Sequence, residues 1–318
     1  EPAFVMYKGL NSARAWIYVD NKRSPANTRR EYLIASSSSA ESAVNIMDFF
    51  SNGFQIRDTS VSTNGNGETY IYMAFAADPS TAPVLADSFA NKLWSGNGST
   101  QSITGTGFNP NLVWIKSDSS SNLKHMWFDS IRGVQNYISS NLTTAEATSS
   151  TSLTSFDTDG FSLGSDVYVN DGGRTYVGWS WKANPIPTIN TDGTIQSVVS
   201  ANQAAGFSIV KYTGNNVAGA TIGHGLSSAP DIIIVKNLDT TDNWTIQLSP
   251  LGYTYYIDLN NTNAATVNSG VWYAAPTSNV FSFGANPRGN GNGNNIIAYC
   301  FNSIAGFSKI GSYTGNGS

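Results

Sequence analysis

Charge is what this chain has least of. Asp, Glu, Lys and Arg make up 12% of its 318 residues, about half the ~25% usual for soluble chains. Ser, Thr, Asn and Gly must therefore carry solubility. The formal net charge of −4 leaves no basic footprint, so nucleic acid is not an expected partner. Cys300 is the only cysteine; no internal disulfide can form, and stability rests on packing. It lies in an apolar, alternating stretch, which reads as a buried inert thiol and not a nucleophile or metal ligand. The two histidines, His125 and His224, have no partner spacing that suggests a metal pair or a triad. No apolar run reaches the ~18 residues of a membrane span, and no stretch keeps a helical period. The chain starts at Glu1-Pro2 without methionine and reads as a piece, or a processed product, of something longer.

What the chain does have is repetition. One apolar phrase occurs three times, Phe4–Lys8, Leu112–Lys116 and Ile232–Lys236, each with a proline just upstream (Pro2, Pro110, Pro230). A second follows it, at Tyr70–Phe75, Tyr176–Trp181 and Ile296–Phe301. The two phrases keep step: Lys8 to Lys116 to Lys236 advances by 108 and 120 positions, Phe75 to Trp181 to Phe301 by 106 and 120. This is a duplicated module with the period of a small domain, not of a solenoid turn.

Short apolar or alternating segments joined by Gly/Asn/Asp turns give seven or eight strands per module and minimal helix. The first repeat should cover residues 1–79, the second 92–185 and the third 204–305, as separate sandwiches. The apolar phrase of each should form a central strand covered on both faces. Connectors run from Pro79 to about Asn91 and from Asn184 to Ala205. The second carries a hairpin signal, Thr191-Asp192-Gly193-Thr194-Ile195. The ends do not close. The first repeat lacks its opening strand, while residues 306–318 read as an opening strand with no module after it. Phe307, Ile310 and Tyr313 are thus expected to form an assembly strand. Pairing in trans, or continuation into a next module of a longer parent, is favoured over closure in cis.

The chemistry-bearing motifs are sparse. Asp157-Thr158-Asp159-Gly160 resembles part of a calcium loop but lacks the later ligands and reads as a hairpin turn. Asp20/Arg23 and Asp129/Arg132 occupy matching loops and read as bracing ion pairs; the third repeat has none. The glycine-rich Gly289–Asn295 precedes a strand, so it is no phosphate cradle. No paired carboxylates recur, so glycoside hydrolysis lacks its machinery, and no metal, cofactor or catalytic residue is expected. Flat aromatics stack on sugar rings. Trp16, Trp244 and the Trp127 region fall at matching strand positions and read as core, whereas Trp94 and Trp272 lie near loops and are the candidate sugar platforms.

Several phrases resemble tail-fibre and host-recognition proteins of marine bacteriophages, a family with tandem lectin-like β-sandwich modules. In the middle repeat they are Lys92–Gly105, Pro110–Lys116, Phe128–Gly133, Ser155–Gly164 and Gly178–Lys182. In the third they are Ala205–Val210, Gly223–Leu226 and Ile232–Asn237, and in the first Tyr18–Pro25 and Tyr70–Phe75. The resemblance spans nearly the whole chain and implies a virion surface protein, but brings no binding residues with it. The expectation is an all-β tandem array of three concanavalin- or laminin-G-like (jelly-roll) sandwiches. It would act as a structural and adhesive segment of a phage tail fibre, with other copies or fibre subunits and a host-surface glycan or protein as partners. The alternative is a non-binding spacer or filament-forming repeat of a phage or bacterial surface adhesin.

Overall fold

The computed structural model describes residues 1–76 and 88–318, so positions 79–87 of the first connector lie outside the described residues. Nearly all regular structure is strand. The first repeat gives β1 (Pro2–Gly9), β2 (Ile17–Asp20), β3 (Arg29–Ile34), β4 (Ser42–Phe50), β5 (Gly53–Ile56) and β6 (Thr69–Ala76). The second gives β7 (Phe89–Ser95), β8 (Gln101–Thr104), β9 (Leu112–Ser117), β10 (Met126–Asp129), β11 (Asn136–Ser139) and β12 (Ala147–Thr148). It ends with β13 (Leu153–Asp157), β14 (Gly160–Leu163), the helical turn α1 (Val167–Asn170) and β15 (Thr175–Trp181). The second connector folds into a hairpin of β16 (Thr188–Asn190) and β17 (Ser197–Asn202). The third repeat gives β18 (Phe207–Thr213), β19 (Ala220–Gly223), β20 (Ile232–Asn237), β21 (Thr245–Leu248), β22 (Tyr255–Asp258) and β23 (Thr266–Val267). Then follow β24 (Val280–Phe283), the helical turn α2 (Pro287–Asn290), β25 (Asn295–Phe301) and β26 (Ser308–Thr314).

Each repeat builds one large antiparallel sheet around its apolar phrase. Strand β1 lies between β2 and β6, β9 between β10 and β15, and β20 between β21 and β25. Side chains alternate along a strand, so a phrase apolar at every position needs two covers. Phe4 and Met6, Leu112 and Trp114, and Ile232 and Ile234 all enter a single core cluster. The intervening residues turn the other way into three separate outer clusters: Val5 and Tyr7, Val113 and Ile115, Ile233 and Val235. The outer covers are the sheet β13-β14-β8 in the second repeat and the pair β19-β24 in the third. In the first, β4 supplies Ile46, Met47 and Phe49.

The expectation of separate sandwiches therefore fails. Three large sheets share one core, and the residues that set the repeat period stand at its centre. Phe75, Trp181 and Phe301 touch one another in a triangle, with centroids 5.7, 5.9 and 6.1 Å apart. Such aromatic pairs add roughly 0.5–1.5 kcal/mol each beyond their buried area. The joints run round the molecule in one sense. Backbone N–H groups of Glu41, Glu146 and Ala265 donate to carbonyls of Asp118, Leu238 and Leu10, each at 2.8–3.0 Å, linking first to second, second to third and third to first repeat.

The ends meet within one chain. β26 takes the outermost place in the first sheet and pairs with β6 from Ser308↔Phe75 to Thr314↔Thr69, the position of β7 against β15 and of β18 against β25. Trans pairing, favoured from the sequence, is replaced by closure in cis. The physical reason is the common core: once three sheets surround one axis, the third repeat ends beside the first. Phe307 and Ile310 sit in that core, each 4% exposed, and Tyr313 stacks on Tyr70 at 4.9 Å.

Candidate functional site

The two candidate sugar platforms are not surfaces. Trp94 is 7% exposed and Trp272 1%. Trp94 alternates off β7 toward the outer cluster, stacks on Tyr176 at 5.7 Å and donates its indole N–H to the Val169 carbonyl at 3.1 Å. Its counterparts Tyr313 and Tyr212 donate to the carbonyls of Thr63 and Gly289 at 2.8 and 2.7 Å, so the position is a repeated structural lock. Trp272 stacks on Phe283 at 4.2 Å under the third cover. Trp94 lines a concavity of about 470 Å³ with Leu93, Arg23 and Glu41, but little of its surface is open there, and Trp272 is covered.

The ionisable residues are absorbed into the joints. His125 stands where Trp16 and Trp244 stand, one residue ahead of the β2, β10 and β21 pairings. All three reach across to a neighbouring repeat. Trp16 donates to the Asp258 carbonyl at 3.0 Å, Trp244 to the Ser139 carbonyl at 3.0 Å, and His125 Nε2 to the Ser37 carbonyl at 2.7 Å. Its Nδ1 accepts from the Tyr18 hydroxyl at 2.7 Å, and burial, with Lys116 nearby, holds its pKa down to about 3. A ring with both nitrogens engaged and no tendency to protonate is a spacer, not a general base. His224 is likewise buried, bonding the Thr277 carbonyl and the Leu226 N–H at 3.1 Å each. Burial pushes the Cys300 thiol far above its ordinary value, which removes the thiolate.

The Asp–Arg pairs are more than loop braces. Arg23 and Asp20 meet at 2.7 Å with side chains 1% and 0% exposed, and the guanidinium lies over Trp179 of the second repeat, 5.9 Å from the ring centroid. Arg132 pairs with Asp129 and lies 3.5 Å from the Tyr299 hydroxyl of the third repeat, which itself donates to Asp129 at 2.7 Å. Where the third repeat meets the first, Leu248 and Leu251 replace the pair, and both pack on the common core. Lys8, Lys116 and Lys236 follow on the core-facing side of their strands, fully buried. Their ammoniums donate to backbone carbonyls, Lys116 to Ser117 at 2.8 Å and Lys236 to Asn237 at 2.7 Å. Burial lowers each pKa to about 8.

Three asparagines missed from the sequence clamp the turn after each opening strand. The side chains of Asn64, Asn170 and Asn290 accept from the backbone of Asn316, Asn97 and Asn215 at 3.0, 3.1 and 2.9 Å. Beside them Gly315, Gly96 and Gly214 pass so close to facing carbonyls that a Cβ would come within 2.4 Å. The shared signal was Gly-Asn before the clamp's own Asn-rich loop, recognisable only once the loops are seen to face each other. Thus Gly289–Asn295 belongs to a turn clamp, and Asp159 of the calcium-like phrase bonds the N–H groups of Gly105 and Gly107 at 3.1 and 2.6 Å.

Several concavities open on the surface of the described residues, and two of them bear on function. One, of about 520 Å³, lies between the end of β15 and the β16–β17 hairpin and is lined by Lys182, Asn184, Thr188, Asn190, Asn202 and Gln203 among others. The other, of about 450 Å³, opens on the outer face of the first sheet, between Phe54, Ile56, Tyr72, Ala74 and Tyr313. Among the described residues no cluster of three or more His, Cys, Asp or Glu could hold a metal ion, and no helix is long and apolar enough to cross a membrane. No curated protein and no solved structure matches the chain. One family profile does, over residues 1–79 and 85–318, and the chain belongs to that family, the Domain of unknown function DUF7483.

Proposed function

We propose that the chain is a non-catalytic structural and adhesive segment of a virion surface appendage, a phage tail fibre, that contacts host-surface glycans or proteins. On this reading each repeat is a lectin-like jelly-roll sandwich, a large sheet with a smaller cover, and three of them are fused into one block. The observation that carries it is the cleft beside the β16–β17 hairpin, where three asparagines, a glutamine, a threonine and a lysine converge. Amides offer both donors and acceptors, which suits sugar hydroxyls, and a few polar groups in a preformed concavity are how small ligands are oriented. The buried ionisable groups support the non-catalytic half of the reading. Asp20, Asp129 and His125 are engaged by fixed partners inside the joints, where no substrate reaches them.

The test is binding of the purified chain to an oligosaccharide array and to host cells, repeated with Lys182→Ala and Gln203→Ala. The reading expects saturable binding by the native chain, reduced at least tenfold by the variants, with Tm unchanged. An array and cells that bind nothing would leave a spacer; binding indifferent to both variants would move the site elsewhere.

A further inference from the structure

Trp272 turns into the core of the third repeat, and the residue after it turns out. Trp272 is the Cα partner of Phe283, and the next N–H, of Tyr273, donates to the Ser282 carbonyl at 3.2 Å. Side chains alternate across a sheet, so Tyr273 and Ser282 share the outer face of the cover. Ser282 is in turn the partner of Thr221 on β19. Beyond it the connector adds Thr194, whose backbone N–H donates to the Thr221 hydroxyl oxygen at 2.9 Å. The outer face thus carries Thr194, Thr221, Ser282 and Tyr273 in one row, with no charge among them.

The tyrosine lies down along that row. A Cβ on Gly219 would stand 3.1, 3.2 and 3.4 Å from its ring atoms Cε1, Cζ and Cδ1. Nearly equal distances to three successive ring atoms put the glycine under the face of the ring, not at its edge. Gly219, at a φ of +82°, leaves the room that a side chain would fill. Ser282 points to the same outer face yet is only 5% exposed, as a residue beneath the ring should be. With its inner face so covered, Tyr273 is still 55% exposed, the most open aromatic side chain among the described residues. The second repeat builds nothing of the kind. There Thr154 and Ser155 run opposite Ser162, and Thr100 takes the place of the glycine, one residue before the partner of Leu163.

We infer that Tyr273 is a stacking platform for a neutral pyranose, a sugar contact separate from the cleft beside the β16–β17 hairpin, which Tyr273 does not line. The inference rests on the adhesive reading for the class of its ligand, not for its place. A pyranose has a face of C–H groups that packs on a flat aromatic ring and a rim of hydroxyls that needs donors and acceptors beside it. The row supplies both: one open ring face, and next to it the hydroxyls of Thr221 and Thr194, each able to donate and accept. A protein anchor would need dry apolar contacts all round it, whereas this ring is bordered by hydroxyls. The absence of charge in the row selects a neutral sugar.

The test is saturation-transfer NMR of methyl β-glucoside, methyl β-galactoside and methyl α-mannoside with the whole chain carrying Lys182→Ala and Gln203→Ala, so that the cleft is silent. The inference expects saturable transfer to at least one pyranoside, strongest at the C–H protons of one ring face. Adding Tyr273→Ala should weaken that binding about tenfold, the upper end of what one stacked ring contributes, with Tm unchanged. Tyr273→Phe, which keeps the ring, should retain it. Transfer indifferent to Tyr273→Ala would overturn the inference, and a lowered Tm would mark the ring as packing for the cover, also against it. Array binding that depends on the cleft, with no transfer to the cleft-silenced chain, would overturn the platform and leave the adhesive reading standing. A native chain that binds no sugar in either assay would overturn both.

Discussion

Removing the last strand should unfold far more than the last strand. Deletion of residues 307–318 takes Phe307 and Ile310 out of the common core, each 4% exposed, at ~1.5–3 kcal/mol apiece. It takes Tyr313 off Tyr70, roughly 0.5–1.5 kcal/mol more, and leaves β6 without its partner along the whole of β26. The loss is on the order of 5 kcal/mol, comparable with the entire stability of an ordinary domain. Because one core serves all three repeats, the loss should appear as a lower urea midpoint for the whole chain, with near-UV circular dichroism and tryptophan fluorescence falling together. The single change Ile310→Ala should cost about 2–5 kcal/mol, while Lys309→Ala, on the exposed face of the same strand, should cost almost nothing. A truncated chain that melts at the native midpoint would refute the reasoning, since a strand pairing only in trans contributes nothing to the isolated chain.

Trp94→Ala and Trp272→Ala should each cost about 3–5 kcal/mol, no less than Trp181→Ala, in the same urea titration; a nearly neutral Trp94→Ala would place that ring outside the core after all. Arg132→Leu alone should cost about 3–5 kcal/mol by stranding Asp129, and adding Asp129→Leu should recover most of it, because Leu248 and Leu251 already fill this joint in the third repeat; a double variant no better than the single would contradict this. Tm should rise from pH 8 to about 9.5. Burial lowers Lys8, Lys116 and Lys236 to about 8, against ~10.4 unfolded. Between those values the unfolded chain binds more protons, so stability grows with pH. It falls again where tyrosines ionise in the unfolded chain near ~10, since buried Tyr7, Tyr18, Tyr212 and Tyr299 resist ionisation. A flat or falling Tm across that window would count against a pKa lowered by burial at these three lysines.

The central strands were legible because a phrase apolar at successive positions can only be covered twice. What the second cover would be was not, since Phe75, Trp181 and Phe301 look alike whether they line three cores or one. Trp94 was misread for a related reason. Its nearness to the Gly96-Asn97-Gly98 turn suggested a loop tip, but a strand's last residues still alternate, and Trp94 falls on the covered face. His125 was hidden by chemistry, being a histidine where two tryptophans do the same bridging. Closure in cis depends on where the third repeat ends in space, which no local pattern records. That β26 supplies the opening strand missing from the first repeat needed the register.

The central claim, one chain closed on itself around a shared core, is tested most directly by a disulfide across the closing strands. Thr69 and Thr314 are Cα partners at the open end of the β6–β26 pairing, and neighbouring Cα atoms in such pairs fall within the reach of a disulfide. The only native cysteine, Cys300, is buried. Thr69→Cys/Thr314→Cys, oxidised at low concentration with isotopically heavy and light chains mixed, should give monomers with an internal crosslink and no heavy–light dimers. Crosslinked heavy–light dimers or ladders would contradict closure in cis, and failure to crosslink at all would contradict the pairing itself.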